Sequence, residues 1–477
     1  MTTQLSDFVK AYDVRGVVPD QLNIDVAHAL GAAFAEVVAL AEGASAVVIG
    51  HDMRPSSPEL VDALARGITA RGVDAVLIGL ASTDGLYYAS GALGLPGAMF
   101  TASHNPAQYN GIKFCRSGAR PVGQDTGLAR VRDLAQQHLD RGVSAFDGVR
   151  PGSVTQRDVL ADYAGFLRGL VDLSRSRPLR VSVDAGNGMG GLTVPVVLGT
   201  DSGLPELPLT IDPMYFELDG TFPNHEANPL DPKNLVDLQE RVRSHGADIG
   251  IAFDGDADRC FVVDEVGDPV SPSAITAMIA RREIAREVAA GRSASDVAIV
   301  HNAITSAAVP EIIAQDGARP VRTRVGHSYV KAVMSEHDAV FGGEHSAHYY
   351  FRDFWFADTG MLAAMHVLAA LGETDAPLSE VMAPFERYVA SGEINSTVTD
   401  AAAITQRVRD RWATGTTTVD ELDGLTITQP GDDDEPMWWI NLRPSNTEPL
   451  LRLNVEAADE ATMARVRDDV LTMIREA

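Results

Sequence analysis

The sequence contains only two cysteines, Cys115 and Cys260, in 477 residues. Two widely separated thiols cannot build the disulfide framework of a small secreted protein, and they lack the paired spacing of a cysteine metal site. We expect both to be free thiols that pack as small apolar side chains in a reducing compartment.

Lysine is also scarce, with four lysines against 35 arginines, and acidic residues outnumber both, so that the formal net charge is −27. Nucleic acids and anionic membranes bind basic surfaces, so neither is expected as a partner. A leader with a basic start and an apolar core is missing, and no apolar run nears the roughly 20 residues that cross a bilayer. We expect a cytoplasmic protein that is a monomer or a weak homo-oligomer.

What the sequence does have, from about Ala44 onward, is a repeated order of short apolar run, polar loop and amphipathic segment, as in SAVVIGHDMRP, GAMFTASHNP and DIGIAFDGDADR. This order predicts α/β domains with parallel sheets, in which loops at the C-terminal ends of the strands carry function. Breaks near 142–156 and 254–275 predict similar domains over residues 1–150, 151–255 and 256–373.

The pattern changes after Gly372, and residues 374–477 read as a separate C-terminal domain. Strands follow one another closely between Val419 and Val455, and a last helix is predicted from Asp459 to Glu476. Its apolar face has spacings of three and four, at Met463, Val466, Val470 and Ile474. We therefore expect three similar α/β domains in series plus a C-terminal α+β domain.

The stretch FDGDADRCF places Asp254, Asp256 and Asp258 at every other position. Carboxylates this close repel one another, and their oxygens suit a hard divalent cation such as Mg²⁺. An EF-hand calcium loop needs glycine at its sixth position, where this chain has Arg259, and CFVVD reads as a strand where the loop should continue. A solvated acidic turn remains the alternative to a magnesium site.

The segment GNGMGG, from Gly186 to Gly191, matches the G-x-G-x-x-G pattern of dinucleotide-binding loops and follows the strand RVSVD. A single match is a weak signal in a glycine-rich chain, and Pro and Gly crowd the place where a crossover helix should be. A tight structural turn is favoured, with an NAD-dependent dehydrogenase as the alternative.

The stretch TASHNPAQYNGIKFC presents Ser103 and His104 directly after the apolar run GAMF. Adjacent side chains seldom form a nucleophile–base pair, and the G-x-S-x-G elbow is absent. A serine that carries phosphate beside a metal fits better, because phosphoserine would add anionic oxygens to the three aspartates. We expect the loop to expose the Ser103 hydroxyl, and Asn105-Pro106 to start a short helix.

Two later loops offer polar groups that suit a phosphorylated sugar. In GGEHSAHYYF, Glu344, Ser346 and His348 alternate, so an extended backbone would point them the same way, toward sugar hydroxyls. The loop RPSNTEP provides a phosphate nest from backbone N–H groups and side chains, those of Arg443, Ser445, Asn446 and Thr447. Polar strand edges and hairpin turns without function explain each loop nearly as well when it is taken alone.

Four of these loops, TASHNP, DGDADR, GEHSAH and RPSNT, carry a family resemblance together with the early segment Tyr12 to Gly16 (YDVRG). Over the whole chain they resemble the α-D-phosphohexomutase family. The resemblance implies four domains around a central cleft. It implies a phosphoserine at Ser103, Mg²⁺ bound by that group together with Asp254, Asp256 and Asp258, sugar contacts from GEHSAH, and a phosphate grip from RPSNT and Arg452.

The implied reaction moves phosphate between O6 and O1 of a hexose through a hexose 1,6-bisphosphate, which is both intermediate and activator. Within the family, GEHSAH and RPSNT resemble the loops of members that act on mannose 6-phosphate and mannose 1-phosphate, with the glucose phosphates as further candidates, which implies a role in nucleotide-sugar biosynthesis. Glucosamine-specific members more often have glycine in place of Asn446. The residues implied near the reacting groups are Ser103, His104, Arg15, Lys113, Arg259, His327 and His348.

Several points stay open on the sequence. Lys113, Arg15, His348 and His327 are all candidates for the general base. The loop VHNAITS, from Val300 to Ser306, has Ala303 where relatives often place a basic residue. The rival functions are a phosphoglucosamine mutase, a phosphatase that lets water attack the phosphoserine, the dehydrogenase and a calcium-binding module.

Overall fold

The structure is a computed structural model that describes residues 4–10, 12–143, 149–431, 435–444 and 450–475. The chain forms two compact units. Unit 1 comprises Met1–Val270, Met334–Phe341 and Ser346–Val381. Unit 2 comprises Ser271–Val333, Gly342–His345 and Met382–Ala477.

The first sheet of unit 1 has the strand order β1-β5-β4-β2-β3-β7, with β6 paired to β5. Its strands are β1 (Val14–Val17), β2 (Ala46–His51), β3 (Asp74–Leu80), β4 (Gly97–Phe100), β5 (Tyr109–Arg116), β6 (Arg120–Pro121) and β7 (Val154–Gln156). The helices that accompany it are α1 (Ile24–Phe34), α2 (Ser57–Thr69), α3 (Thr83–Leu93) and α4 (Leu128–Arg141).

The second sheet of unit 1 has the order β12-β11-β10-β8-β9. Its strands are β8 (Leu179–Asp184), β9 (Leu209–Met214), β10 (Ile249–Phe253), β11 (Cys260–Val263) and β12 (Pro269–Val270). The helices of this part of the chain are α5 (Leu160–Leu170), α6 (Gly190–Val197) and α7 (Val236–His245).

The next part of the chain contributes to both units. Unit 2 holds α8 (Pro272–Ala289), α9 (Ala308–Gln315) and the parallel pair β13 (Ala298–Asn302) and β14 (Arg319–Thr323). Unit 1 holds α11 (Gly360–Gly372) and the antiparallel pair β16 (Tyr349–Phe351) and β17 (Ala357–Asp358). The elements divided between the units are α10 (His327–His337), β15 (Phe341–Gly343) and α12 (Leu378–Met382).

The last sheet lies in unit 2, with the order β18-β23-β22-β21-β20 and β19 paired to β23. Its elements are β18 (Val389–Ala390), β19 (Ile394–Thr397), α13 (Ala401–Trp412), β20 (Thr418–Asp420), β21 (Leu425–Gln429), β22 (Trp438–Pro444), β23 (Leu450–Ala457) and α14 (Glu460–Arg475). The last helix begins one residue later than the sequence predicts, its predicted last residue Glu476 lies outside the described residues, and its four apolar-face residues are buried.

The sheets are mixed, whereas the sequence pattern predicts parallel ones. β2 pairs in parallel with β3 and β4, but β5 runs antiparallel to β4. In the second sheet β10 is parallel to β8 and antiparallel to β11. Antiparallel strands need only a short connection, and in each sheet that connection is a loop the sequence marks as chemical.

Two of the expected breaks fall inside sheets. Residues 142–156 include β7, which pairs with β3 of the first sheet. The region 254–275 includes β11 and β12, which continue the second sheet, because Phe253 pairs with Cys260 across the aspartate loop. A boundary at 255/256 would therefore cut that loop, and we place it after Val270.

One segment is more apolar than the sequence pattern suggests. Ile24–Glu42 forms 19 helical residues that are long and apolar enough, by length and composition, to cross a membrane. Most of this segment is buried in the structure, and a Cβ on Gly31 would lie 2.2 Å from the backbone oxygen of Leu64 in α2. Such close packing is typical of a core helix. Cys115 and Cys260 are buried free thiols, as predicted.

Candidate active site

The loop that joins β4 to β5 carries Ser103 in a constrained backbone. Ser103 has a φ of 48°, a conformation that side-chain-bearing residues seldom adopt. Its backbone N–H donates to Thr101 Oγ1 at 2.8 Å, and its side chain is buried. Residues 101–108 form turns and no helix. The predictions of an exposed Ser103 hydroxyl and of a helix that starts at Asn105-Pro106 are therefore wrong. The loop is held against the protein interior at both Ser103 and Asn105.

The residue that holds this loop is Arg54, which the sequence analysis missed. Its guanidinium is buried and pairs with Asp52. It donates at 2.7 to 2.9 Å to four backbone carbonyl oxygens of the loop, those of Ser103, Asn105, Pro106 and Tyr109. Buried carbonyls need donors, and one planar guanidinium supplies them all. The only sequence signal was its place in HDMRP, directly after a buried strand.

Asp254, Asp256 and Asp258 lie on the short connection between β10 and β11, and all three are buried. Each offers a carboxylate oxygen, and these oxygens lie within 4.8 Å of one another. Asp256 Oδ1 and Asp258 Oδ1 are buried without a hydrogen-bond partner among the described residues. Buried carboxylate oxygens without donors fit a divalent cation, so the residues present suit the predicted Mg²⁺. The strand β11 begins at Cys260, which excludes the EF-hand reading.

Ser103 lies against this triad. Its Oγ donates to Asp254 Oδ2 at 2.7 Å, and Arg259 Nη2 lies 3.3 Å from the same hydroxyl. Arg259 also pairs with Asp254 at 2.7 Å and meets His104 Nδ1 at 2.6 Å. Burial and the neighbouring Arg259 hold the pKa of His104 well below its usual value, so its imidazole is neutral at pH 7. A hydroxyl, a carboxylate and a guanidinium thus meet at one point.

Lys113, on β5, bridges the other two carboxylates. Its Nζ lies 2.7 Å from Asp256 Oδ2 and 2.6 Å from Asp258 Oδ2. Burial raises the pKa of Asp254 to about 7. Burial acts the same way on Asp256, but Lys113 outweighs it and holds the pKa of Asp256 well below its usual range. Burial alone would lower the pKa of Lys113. Its two carboxylate partners outweigh burial and raise the pKa above its usual value, so the ammonium stays charged.

Arg15 lies on β1, which pairs with β5. Its Nη1 donates to Asn105 Oδ1 at 2.6 Å, and its Nη2 pairs with Asp13 at 2.7 Å. The YDVRG segment therefore contacts the Ser103 loop through Arg15, which the family resemblance implied near the reacting groups.

His348 lies beside the aspartate loop within unit 1. Its backbone bridges to Arg259, and its Nε2 is 3.7 Å from Asp258 Oδ1. Ser346 Oγ lies 3.1 Å from His348 Nδ1. Asp358, which the sequence analysis missed, offers a third group within 4.8 Å of Asp258 and His348. The segment around these residues is a turn with Ala347 at a φ of 67°, so the predicted extended strand is wrong.

Glu344 belongs to unit 2 and is buried there. Its Oε2 accepts from Asn302 Nδ2 at 3.0 Å and from the backbone N–H of Gly326 at 3.1 Å. His327 follows Gly326 as the first residue of α10. The carboxylate predicted to accept sugar hydroxyl bonds is thus oriented by two donors from separate loops.

The loop with Ala303 has an arginine against it after all. Arg322, on β14, donates to the backbone oxygen of Ala303 at 3.2 Å and pairs with Asp420. A basic group is present at this loop, although it comes from the neighbouring strand.

Arg443 and Arg452 face each other on β22 and β23. Glu393 pairs with both, with Arg443 at 3.2 Å and with Arg452 at 3.2 Å. Asp423 also lies 3.4 Å from Arg443. Ser445, Asn446 and Thr447, the other predicted phosphate contacts, lie outside the described residues.

The GNGMGG segment packs against the aspartate loop. The N–H of Met189 donates to the oxygen of Gly255 at 2.9 Å. A Cβ on Gly188 would lie 2.7 Å from that same oxygen, and a Cβ on Gly255 would lie 2.5 Å from the backbone oxygen of Ser103. The glycines therefore allow three backbones to approach closely, which is the structural role that the sequence favours over dinucleotide binding.

Comparison with known proteins identifies four consecutive matches. Three are the α/β/α domains I, II and III of phosphoglucomutase/phosphomannomutase, over residues 7–139, 161–267 and 271–388. The fourth is the C-terminal domain of the same proteins, over residues 393–473. The predicted fold class, three similar α/β domains and a different C-terminal one, is confirmed.

Similar proteins cover nearly all of the chain. A phosphomannomutase of Escherichia coli is 37% identical over 477 residues, covering 99% of this chain and 100% of the relative. A phosphomannomutase/phosphoglucomutase of Pseudomonas aeruginosa is 35% identical over 464 residues, covering 96% and 93%. A crystal structure of a phosphoglucomutase/phosphomannomutase family protein from Burkholderia thailandensis matches with a TM-score of 0.84 at 30% identity, covering 100% and 98%.

Proposed function

The chain belongs to the phosphoglucomutase/phosphomannomutase family and is a phosphohexomutase, and we propose that it interconverts mannose 6-phosphate and mannose 1-phosphate, with the glucose phosphates as further substrates. The names of its relatives favour mannose, and the loops GEHSAH and RPSNT agree with them. The family assignment does not favour the dehydrogenase, phosphatase and calcium-binding alternatives.

The observation that carries the proposal is the position of Ser103. Its Oγ lies 2.7 Å from Asp254 and 3.3 Å from Arg259, so a phosphoryl group on this oxygen would meet a guanidinium and a carboxylate cluster fit for a cation. Such a cation supplies charge stabilisation for the transferring phosphoryl group.

In the proposed reaction, phosphoserine 103 transfers its phosphoryl group to the free hydroxyl of the hexose monophosphate. The bond between phosphorus and Ser103 Oγ breaks, a bond to the sugar oxygen forms, and a base takes the hydroxyl proton. Arg259 stabilises the charge that develops on Ser103 Oγ. The resulting 1,6-bisphosphate reorients and returns its other phosphoryl group to Ser103.

Protein groups divide the remaining tasks. Arg259, Arg15 and His104 surround the Ser103 loop, whereas Lys113 is held protonated by its carboxylates and serves as a fixed cation. His348, with Nδ1 near Ser346 and Nε2 beside Asp258, is our choice for the base.

Glu344, Ser346 and His327 would contact the sugar. Arg443 and Arg452, with Ser445, Asn446 and Thr447, would hold the phosphate that is not reacting.

We further propose that the cation is Mg²⁺, that hexose 1,6-bisphosphate is the activator, and that the enzyme works in the cytoplasm as a monomer or weak homo-oligomer. The buried aspartate triad supports the metal. The net charge of −27 supports the absence of nucleic-acid and membrane partners.

A coupled assay primed with a hexose 1,6-bisphosphate tests the proposal, with mannose 1-phosphate, glucose 1-phosphate and glucosamine 1-phosphate compared. We expect the highest kcat/KM for mannose 1-phosphate. Ser103→Ala should lose turnover, and the intact mass of the wild type should carry a phosphate-sized excess that this variant lacks. A highest rate with glucosamine 1-phosphate, or normal activity of Ser103→Ala, would contradict it.

A further inference from the structure

We propose that Thr83 is a positioning residue that presents Asp256 to the metal. This inference rests on the proposed function, because it takes Asp256 as a metal ligand. Thr83 is the first residue of α3, lies some 170 residues before the aspartate loop, and is buried.

Thr83 bonds to Asp256 twice. Its Oγ1 donates to Asp256 Oδ2 at 2.6 Å, and its backbone N–H donates to the backbone oxygen of Asp256 at 3.0 Å. The first bond fixes the rotation of the carboxylate, and the second fixes the backbone that carries it. Groups that bond to a metal ligand in this way orient it and tune its affinity.

These bonds also determine which oxygen of Asp256 is left for a cation. Oδ2 accepts from both Thr83 and Lys113, whereas Oδ1 is buried without a donor in the described part of the chain. A bound cation would repel the Lys113 ammonium, because like charges disfavour each other. The Thr83 hydroxyl is neutral, so it can keep its bond to Oδ2 when the cation arrives.

Thr83 is itself held by a buried network. Asp84, the next residue, accepts from Tyr163 OH at 2.8 Å and from Thr359 Oγ1 at 2.6 Å. Ser82 caps α3 by accepting from the N–H of Gly85 at 3.2 Å. Tyr163 lies on α5, and Thr359 caps α11, so the first turn of α3 is tied to two distant helices. A donor fixed at this many points loses little freedom when it orients Asp256.

The matched variants Thr83→Val and Thr83→Ser test the inference, since valine keeps the shape without the donor and serine keeps the donor. Mg²⁺ affinity of the purified full chain would be measured by titration calorimetry. Loss of a partner behind a metal ligand typically costs about ten- to a hundred-fold in affinity. We expect that weakening in Thr83→Val and affinity within about two-fold of wild type in Thr83→Ser. Saturating Mg²⁺ should then restore most of the turnover of Thr83→Val.

Several outcomes would overturn the inference. If the wild type binds Mg²⁺ and Thr83→Val binds it equally well, Thr83 does not position Asp256, and the proposed function stands. If Thr83→Val stays slow at saturating Mg²⁺ and melts well below the wild type in EDTA, Thr83 acts on the fold alone. If the wild type binds no Mg²⁺, the metal assignment itself fails, and this inference fails with it.

Discussion

The side-chain amide of Asn302 is one of the two donors that orient the Glu344 carboxylate. Asn302 Nδ2 donates to Glu344 Oε2, while its Oδ1 accepts from Ile304 N–H at 3.2 Å and Thr305 Oγ1 at 2.8 Å. Every polar atom of this amide is therefore used to hold one orientation. A carboxylate that receives sugar hydroxyl bonds needs such support, because loss of orientation costs rate even when the group remains.

We predict that Glu344→Gln lowers kcat/KM for mannose 1-phosphate by about ten- to a hundred-fold, since hydrogen bonds to charged groups contribute about 1.5–3 kcal/mol. Asn302→Ala should lower it too, but by much less when Glu344 is already Gln, because the two residues act through one bond. The measurement is a double-mutant cycle on kcat/KM. Additive losses would show that the two residues act independently. A fall in melting temperature that accounts for the losses would show that the pair serves stability alone.

The site residues that can be picked out from the sequence are those with an unusual local pattern. Ser103 and the three aspartates lie in short loops with unusual spacing, and the structure brings them together. Arg54, Thr83 and Asp358 could not be found in this way, because each acts through contacts with residues far along the chain. A buried arginine or threonine has no spacing signal of its own.

At the level of strands, β22 and β23 place two like charges opposite each other. Arg443 and Arg452 are register partners, and such pairs repel unless an anion lies between them. Glu393 is that anion in this structure. A substrate phosphate that binds these arginines must therefore compete with Glu393.

We predict that Arg443→Ala raises KM for mannose 1-phosphate and mannose 6-phosphate by similar factors, about ten-fold to somewhat over a hundred-fold. The factors should be similar because, in the proposed reaction, the same arginines bind whichever phosphate is not reacting. Glu393→Gln should have the opposite effect and lower both KM values, since it removes the competing charge. Initial rates in both directions give the four values. A change for only one monophosphate, or a raised KM in Glu393→Gln, would place the phosphate elsewhere.

Among the elements, the long periodic ones were predicted best. The helix α14 begins within one residue of its predicted start, and four buried side chains at helical spacing define it. The alternation in EHSAH had the period of a strand, yet the segment is a turn with Ala347 in a left-handed conformation. Three polar residues are too few to fix a period. The antiparallel partners of β4 and β10 were also beyond prediction, because strand direction depends on tertiary pairing.

On the scale of the whole molecule, an acidic chain has gathered positive groups around one serine. The net charge is −27, yet Arg15, Arg54, Lys113 and Arg259 all contact the Ser103 loop or the aspartate loop. All four cations pair with carboxylates, and Arg54 and Arg259 are buried. The positive charge that an anionic substrate needs is thus concentrated locally, and the overall charge does not reveal it.

Asp84 should make global stability depend on pH. Burial raises its pKa to about 6 in the folded state, against an ordinary value of 3.8. The folded chain therefore binds more protons than the unfolded chain between these values, and stability rises as pH falls through 6. This contribution amounts to about 1.4 kcal/mol for each pH unit between 6 and 4.

The test compares melting temperatures of the wild type and Asp84→Asn at pH 5.0 and pH 7.5. Asparagine cannot titrate, so the wild type should exceed the variant by a larger margin at pH 5.0 than at pH 7.5. Asparagine also points an amide group at hydroxyl donors, which lowers the stability of the variant by the same amount at both pH values. An equal margin at both pH values would contradict the raised pKa of Asp84.

The contact of Gly255 with the backbone oxygen of Ser103 limits how this enzyme can be changed by directed evolution. At Gly97 the nearest obstacle to a new methyl group is the sulfur of Cys115, at 2.8 Å, and a second substitution can shorten that side chain. At Gly255 the obstacle is a main-chain atom, which every amino acid carries. A second substitution can therefore compensate for a side chain at Gly97, whereas no second substitution can compensate for one at Gly255. A library that aims to alter sugar preference gains nothing from randomising Gly255 or Gly188.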